Sequence, residues 1–379
     1  MLLKFKITED YQYNDWAISN IKNLKWDKFH YDPNDGENKF YFFRYVDIHN
    51  DPSYEPRFYP MFVRNYQFLD QAQEYVNYIL KNPQEFIDKK LIPVLLDPLE
   101  GFHETTAVAE YVAESLKDIC TVYFINGNNL LKKTDNKFKF YSTNHWIHHL
   151  SDLNFPRVNL NETHKVYVSL NRMAREHRVI LTSKLIENNL RDNGYITWAN
   201  GRTHQYIDFT DNYPNIHQTE FDILDVENIL EKNPTRQVPL KFCADTFLYL
   251  VTETHFDNQT IFLSEKSFKP IILGMPFINL GNPGTLALLK ELGFKTFDKW
   301  IDESYDLDKS IEERCDIITN EIKRLSEMTN VQRINIRKDM EEVLVHNIKT
   351  LNNHLGRSDL VESLMDIGKE IYTDRKRIL

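Results

Sequence analysis

Short apolar runs alternate along the chain with stretches whose apolar residues recur every three or four positions. The clearest unit spans residues 91–117, where an apolar run is followed by a Pro- and Gly-containing elbow and a predicted helix over about 105–117. Comparable apolar runs predict further strands at 120–127, 137–143, 165–170, 194–199, 247–253, 276–280 and 294–297. Strands that alternate with helices are typical of parallel sheets with crossover helices.

The chain before this unit shows a weaker form of the same pattern. Residues 39–48 and 57–63 predict two strands, and Pro60 restricts the second to a sheet edge because proline has no N–H to donate. A stripe of apolar residues predicts a helix over 66–80, and a shorter helix is predicted at 15–24.

A turn-rich segment without periodicity, residues 151–163, separates two α/β series. At 379 residues the chain is longer than one hydrophobic core usually supports. We therefore expect an α/β protein with two facing Rossmann-like domains and a helical C-terminal tail. The expected domains are residues 1–158 and residues 159–379, the second of which includes the tail.

Residues 262–280 combine a strand end, a polar elbow, a helix and a buried strand. Ser264, Glu265 and Lys266 place a hydroxyl, a carboxylate and an ammonium in a row, and Lys269 follows one helical turn later. Nucleotides bind at such elbows in open α/β sheets, where a carboxylate can accept from ribose hydroxyls and a lysine can neutralise phosphate. The alternative is a serine N-cap followed by an ordinary Glu and Lys.

Three arginines, Arg172, Arg175 and Arg178, follow the strand predicted at 165–170. At this spacing near a helix start, at least two of them can point the same way. Guanidinium groups bind phosphate oxygens in a bidentate manner, so the cluster is a candidate diphosphate site. The alternative is a solvated basic first turn paired with neighbouring acidic residues.

The elbow of residues 97–104 gathers carboxylates and one imidazole in the first domain. Glu100 and His103 lie in the predicted loop, so either is a candidate general base toward an acceptor hydroxyl. Acidic capping of the following helix is the alternative explanation, particularly for Glu104.

Composition narrows the function classes further. The net charge of −10 disfavours a surface built for duplex nucleic acid without excluding a local basic patch. The three cysteines lack metal-ligand spacing and predict buried thiols in a reducing compartment, and we expect no metal site and no cofactor. No apolar run approaches the ~18 residues that a membrane span needs, and no signal-peptide h-region is present, so we expect a cytoplasmic protein.

The second half also resembles a known family. Residues 248–254, Leu-Tyr-Leu-Val-Thr-Glu-Thr, and 261–269, Ile-Phe-Leu-Ser-Glu-Lys-Ser-Phe-Lys, are similar to the donor-binding motif of the GDP-fucose-dependent fucosyltransferases. Residues 169–178, Ser-Leu-Asn-Arg-Met-Ala-Arg-Glu-His-Arg, are similar to that family's stretch whose arginine reaches the donor diphosphate. The chain also looks like uncharacterised glycosyltransferase-like proteins of viral and bacterial genomes. The resemblance covers roughly residues 165–300.

The resemblance implies a glycosyltransferase of the GT-B type, which moves a sugar from a nucleotide-sugar to a glycan or another acceptor hydroxyl without a metal. Carried over by position, Glu265 would hold the ribose, Lys266 the phosphates, and Arg175 or Arg178 the β-phosphate. Glu253 would line the donor pocket, and the family's first-domain glutamate base would correspond to Glu100.

The sequence departs from the family at Ser264, where the family has threonine, and at Lys269-Pro270, which has no counterpart. The first domain has no convincing alignment. Two other functions therefore stay open: a nucleotide- or glycan-binding module without turnover, and a viral-type transferase acting on modified DNA bases, which the acidic charge balance disfavours.

Overall fold

The protein was analysed as a computed structural model. It describes residues 5–7, 39–41, 57–63, 68–88, 91–97, 101, 103–133, 136–147, 157–158, 164–171, 174–198, 212–222, 238–256, 258–354 and 359–378. The chain divides into two compact units. The first consists of residues 1–145 together with 358–379, and the second of residues 146–357.

The first unit is built on a four-stranded parallel sheet with the strands in sequential order. Its strands are β3 (Arg57–Phe62), β4 (Leu91–Asp97), β5 (Tyr123–Asn126) and β6 (Lys139–Ser142), and a separate antiparallel pair is formed by β1 (Phe5–Ile7) and β2 (Lys39–Tyr41). Its helices before residue 145 are α1 (Phe68–Lys81), α2 (Pro83–Ile87) and α3 (His103–Leu116).

A long C-terminal helix, α12 (Asp359–Ile378), completes the first unit. Its apolar stripe packs on the side chains of β3, β4 and β5 that point away from α1 and α3. The stripe consists of Leu360, Leu364, Ile367 and Ile371. Both faces of this parallel sheet are therefore covered, as buried parallel strands require.

This arrangement differs from the boundary expected at residues 158/159, which assigned the C-terminal helix to the second domain. The physical reason is the sheet's second apolar face, which includes Phe58, Val94 and Ile125 and would otherwise remain uncovered. Local periodicity identifies an amphipathic helix but does not identify the surface against which it packs.

The second unit contains another four-stranded parallel sheet, with strand order β10–β9–β7–β8. Its strands are β7 (Lys165–Asn171), β8 (Gly194–Trp198), β9 (Thr246–Thr252) and β10 (Phe277–Leu280). Its helices are α4 (Glu176–Glu187), α5 (Pro214–His217), α6 (Leu240–Ala244), α7 (Glu265–Ile272), α8 (Thr285–Glu291), α9 (Ile311–Ser326), α10 (Asn330–Asp339) and α11 (Glu341–Asn352).

Most predicted elements are present within a few residues of their expected bounds, which confirms an α/β fold with two parallel sheets. The placement of Pro60 on an edge strand is also confirmed, because β3 pairs only with β4 in the described four-stranded sheet. The prediction of a strand at 294–297 was wrong, since those residues form an irregular segment. The helix predicted at 15–24 lies outside the described residues.

Candidate anion-binding site at the carboxyl edge of the second sheet

The strand order of the second unit creates a switch point between β7 and β9. The chain leaves β7 for β8 on one side, and it later returns to build β9 and β10 on the other side of β7. The two strand ends are held together, because the Thr252 hydroxyl donates to the Asn171 side-chain oxygen at 2.8 Å. Ligands of open α/β sheets bind at such points, where the connections diverge.

The first turn of α4 brings Arg175 and Arg178 to this switch point. Arg178 is 2% exposed, and its Nη2 donates to the carbonyls of Thr252 and Glu253, both at 3.0 Å. Burial lowers the pKa of Arg178 to about 10, and the charge of Arg175 adds to this effect. Arg178 therefore fixes the first turn of α4 to the end of β9.

Arg175 has unused hydrogen-bonding capacity. It is the N-cap of α4, with an extended backbone, and its half-buried side chain has no hydrogen-bond or ion-pair partner among the described residues. Its Nε is buried and unpaired. Two neighbouring guanidinium groups, one half-buried and one buried, are unfavourable unless an anion balances the charges.

His177 lies between these arginines in sequence and is buried. Burial holds its pKa well below the usual value, and Arg178 and Arg175 add to the shift. The ring is therefore neutral at pH 7, and its Nε2 lies 3.0 Å from the Glu253 carbonyl, to which it donates. The ring also stacks on Phe256 at 4.7 Å.

Glu253 connects the end of β9 to the first turn of α7. Its carboxylate is 1% exposed and accepts from the backbone N–H of Ser264 at 3.1 Å, from the Ser264 hydroxyl at 2.6 Å and from the Ser267 hydroxyl. The Thr254 N–H donates to it as well, at 3.0 Å. The structure thus directs this carboxylate into the protein, whereas the resemblance implied that it lines a donor pocket.

The Ser-Glu-Lys elbow forms the N-terminus of α7. Ser264 is the N-cap, and its hydroxyl accepts from the Lys266 N–H at 3.3 Å. The Lys266 ammonium lies 2.9 Å from the Glu265 carboxylate and 3.0 Å from the Thr254 hydroxyl. Although burial opposes ionisation, Lys266 and Lys269 hold the pKa of Glu265 below its usual value. The elbow therefore contains both a serine N-cap, at Ser264, and an ion pair between Lys266 and Glu265.

Lys269 lies one turn further along α7 and is only 6% exposed. No described residue is within hydrogen-bond or ion-pair distance of its ammonium. Burial lowers its pKa to about 8, against the opposing charge of Glu265. Pro270, the next residue, is inside α7 rather than in its first turn, so the helix lacks one backbone hydrogen bond there.

Cations outnumber carboxylates among the buried and half-buried side chains of these two helix starts. Four cations, Arg175, Arg178, Lys266 and Lys269, accompany two carboxylates, Glu253 and Glu265, which leaves two positive charges in excess. Glu176, the remaining charged residue of the α4 turn, is exposed. This excess occurs in a chain whose net charge is −10. The edge is therefore suited to a ligand with at least two negative charges.

Only some of the other predicted site residues are among those that the structure describes. Arg172 and Glu100 lie outside the described residues. His103 was expected in a loop, but it is the first residue of α3, with its Nδ1 3.4 Å from the Glu104 carboxylate. Asp97 is buried and accepts from Thr105 and Asn126, both at 2.9 Å, so it anchors the elbow internally.

Sequence reasoning missed two residues that shape this edge, Phe256 and Arg314. Arg314, from α9, is fully buried, donates to the carbonyls of Tyr305 and Gly281, and lies over the Phe256 ring at 5.4 Å. These contacts join residues far apart along the chain, so no local pattern indicates them. The sequence shows that His177 lies between Arg175 and Arg178, but it does not show that the ring contacts the end of β9.

Within the described part of the chain, no group of three or more His, Cys, Asp or Glu residues could hold a metal ion. No described helix combines the length and apolarity needed to cross a membrane. The cysteines Cys120, Cys243 and Cys315 are free, and the last two are buried. No protein-family model matches the chain, and no curated protein matches it significantly.

Proposed function

We propose that the protein is a glycosyltransferase of the GT-B type that binds the diphosphate of a nucleotide-sugar at the carboxyl edge of its second sheet. The observation that carries this proposal is the unpaired Arg175 guanidinium, placed beside Arg178 at the switch point of a parallel sheet. The motif resemblance to the fucosyltransferases narrows the anion to a nucleotide-sugar, such as a GDP-linked sugar.

In this proposal the residues have distinct tasks. Arg175 binds diphosphate oxygens directly, while Arg178 holds the α4 turn in position through its two carbonyl contacts. Lys266 neutralises phosphate, and Glu265 accepts from the ribose hydroxyls. The cations stabilise the charge that develops on the leaving diphosphate, which is a metal-independent form of electrostatic catalysis.

The acceptor hydroxyl must lose its proton during transfer, and we assign this task to the first unit. His103 and Glu100 are the candidates, since both belong to the elbow that follows β4. The His103 imidazole, with its Nδ1 3.4 Å from the Glu104 carboxylate, has a second ring nitrogen that can accept the proton of the acceptor hydroxyl.

Calorimetry against GDP, UDP, ADP and CMP tests the donor assignment. We expect one nucleoside diphosphate to bind with a measurable dissociation constant, because the edge carries two uncompensated positive charges. An absence of heat for all four at millimolar concentration would refute a nucleotide site.

Replacing Lys266 by alanine is expected to weaken nucleotide binding by about 1–3 kcal/mol, the range for a charge-assisted hydrogen bond. The measurement is the same titration on the variant. Lys295→Ala is a matched control, since Lys295 is an exposed lysine of the second unit outside the site. Equal affinities for the Lys266 variant and the control would remove the phosphate role of Lys266.

The variants Glu100→Gln and His103→Gln distinguish sugar transfer from nucleotide binding alone. We expect loss of sugar transfer to a panel of acceptors with nucleotide affinity retained. Donor binding without transfer or donor hydrolysis in the unmodified protein would favour the non-catalytic binding module instead.

A further inference from the structure

Lys269 is a charge near the site that the proposed roles leave unexplained. Its side chain is buried, and the titratable groups that act on it are Glu265, Lys266 and Cys243. An ammonium on so buried a side chain, with no carboxylate at ion-pair distance among the described residues, is costly, which favours a second state of the protein in which it is paired.

The spacing along α7 identifies the carboxylate with which Lys269 can form a closer ion pair. Glu265 and Lys269 are four residues apart, which places both side chains on the same face of the helix, with the acid toward the N-terminus. This is the favourable order for an ion pair. In the structure the Glu265 carboxylate is instead paired with Lys266, at 2.9 Å.

When the Lys266 ammonium turns toward a phosphate, its charge is shared between the phosphate and Glu265, and its contact with the carboxylate weakens. The Glu265 carboxylate, which is 8% exposed, then loses part of its counter-charge inside the protein. We propose that Lys269 is the reserve counter-ion of Glu265: when the ligand's phosphate takes Lys266, Lys269 pairs with the carboxylate and holds it for the ribose hydroxyls.

This inference rests on the proposed function in one respect, because it requires an anionic ligand at Lys266. It makes Lys269 a positioning residue that acts through Glu265, whereas the sequence alone grouped it with the nucleotide-binding residues. The reserve role predicts an uptake of protons on ligand binding that a purely structural lysine would not show. With its pKa at about 8, Lys269 is partly neutral in the free protein, and pairing with Glu265 makes it take up a proton from solvent.

The test is calorimetry with GDP at pH 8 in Tris and in HEPES, whose different ionisation enthalpies reveal proton uptake. We expect a fraction of a proton to be taken up per GDP bound, because Lys269, with a pKa of about 8, is partly neutral at this pH. GDP binding without proton uptake would overturn the inference and leave the proposed function standing.

Two variants separate pairing with Glu265 from direct contact with the ligand. Lys269→Met keeps the length of the apolar stem and is expected to bind GDP without proton uptake. Glu265→Gln is expected to abolish the uptake as well, because Lys269 then has no carboxylate to join. Persistent uptake in Glu265→Gln would show that Lys269 contacts the phosphate itself, and would contradict the reserve role.

A double-mutant cycle on the free protein tests the same exchange without nucleotide, and decides the matter if GDP does not bind. Lys266→Met leaves Lys269 to serve Glu265 and should change the unfolding equilibrium little, whereas Lys269→Met removes a costly buried charge and should leave the protein at least as stable. The double variant should lose at least about tenfold more than the product of the single effects. Effects that simply multiply would overturn the inference.

Discussion

Replacing Glu253 by alanine is expected to destabilise the second unit by at least about 1–3 kcal/mol, the range for leaving one buried donor without its acceptor. Its carboxylate accepts from Ser264, Ser267 and Thr254, and the variant leaves these donors buried without an acceptor. Denaturant unfolding followed by fluorescence measures the loss. We also expect weaker nucleotide binding, because the same contacts hold the start of α7.

Two further variants make this result specific. Glu253→Gln retains one oxygen but turns an amide toward the donors, so its loss of stability should lie between those of the unmodified protein and the alanine variant. Glu291→Ala removes an exposed glutamate of α8 and should change stability by no more than about 0.5 kcal/mol. A Glu253→Ala protein as stable as this control would show that the network contributes nothing.

Deleting residues 358–379 is expected to prevent stable folding of the first unit. The deletion removes Leu360, Leu364, Ile367 and Ile371, whose burial is worth about 1.5–3 kcal/mol each. The sum, roughly 6–12 kcal/mol, is comparable to the total stability of a typical domain, about 5–15 kcal/mol. Solubility, dye binding to exposed apolar surface and circular dichroism of the truncated protein measure the effect.

A point variant keeps this prediction quantitative. Ile367 is fully buried, so Ile367→Ala should cost about 2–5 kcal/mol. Lys369→Ala, on the exposed face of the same helix, should cost at most about 0.5 kcal/mol. A truncated protein whose first unit is intact and unfolds cooperatively would contradict the packing of α12 on the first sheet.

The strands and helices of both sheets could be predicted because their cues are local. Apolar runs such as 91–97 and 246–252 are long enough to be recognised without knowledge of their neighbours. Strand order was not predictable in the same way, since it depends on which edge of β7 each later strand joins. The assignment of α12 failed for a related reason: its partner surface lies more than two hundred residues earlier in the chain.

The candidate site was predictable in its residue types but not in its contacts. The sequence identified Arg175, Arg178, Glu265 and Lys266 as charges at strand ends, and the structure brings them to one edge. The direction of each side chain was not predictable. Glu253 points into a serine cluster and Arg178 toward backbone carbonyls, because these groups had to satisfy donors and acceptors from other segments.

The return of α12 to the first sheet also affects the order in which the protein can form during synthesis. The first unit's strands leave the ribosome before the second unit, yet the helix that covers them is translated after the whole of the second unit. The second unit can therefore be completed earlier, contrary to the usual order in which N-terminal domains finish first. Until then, one apolar face of the nascent first sheet is available to chaperones.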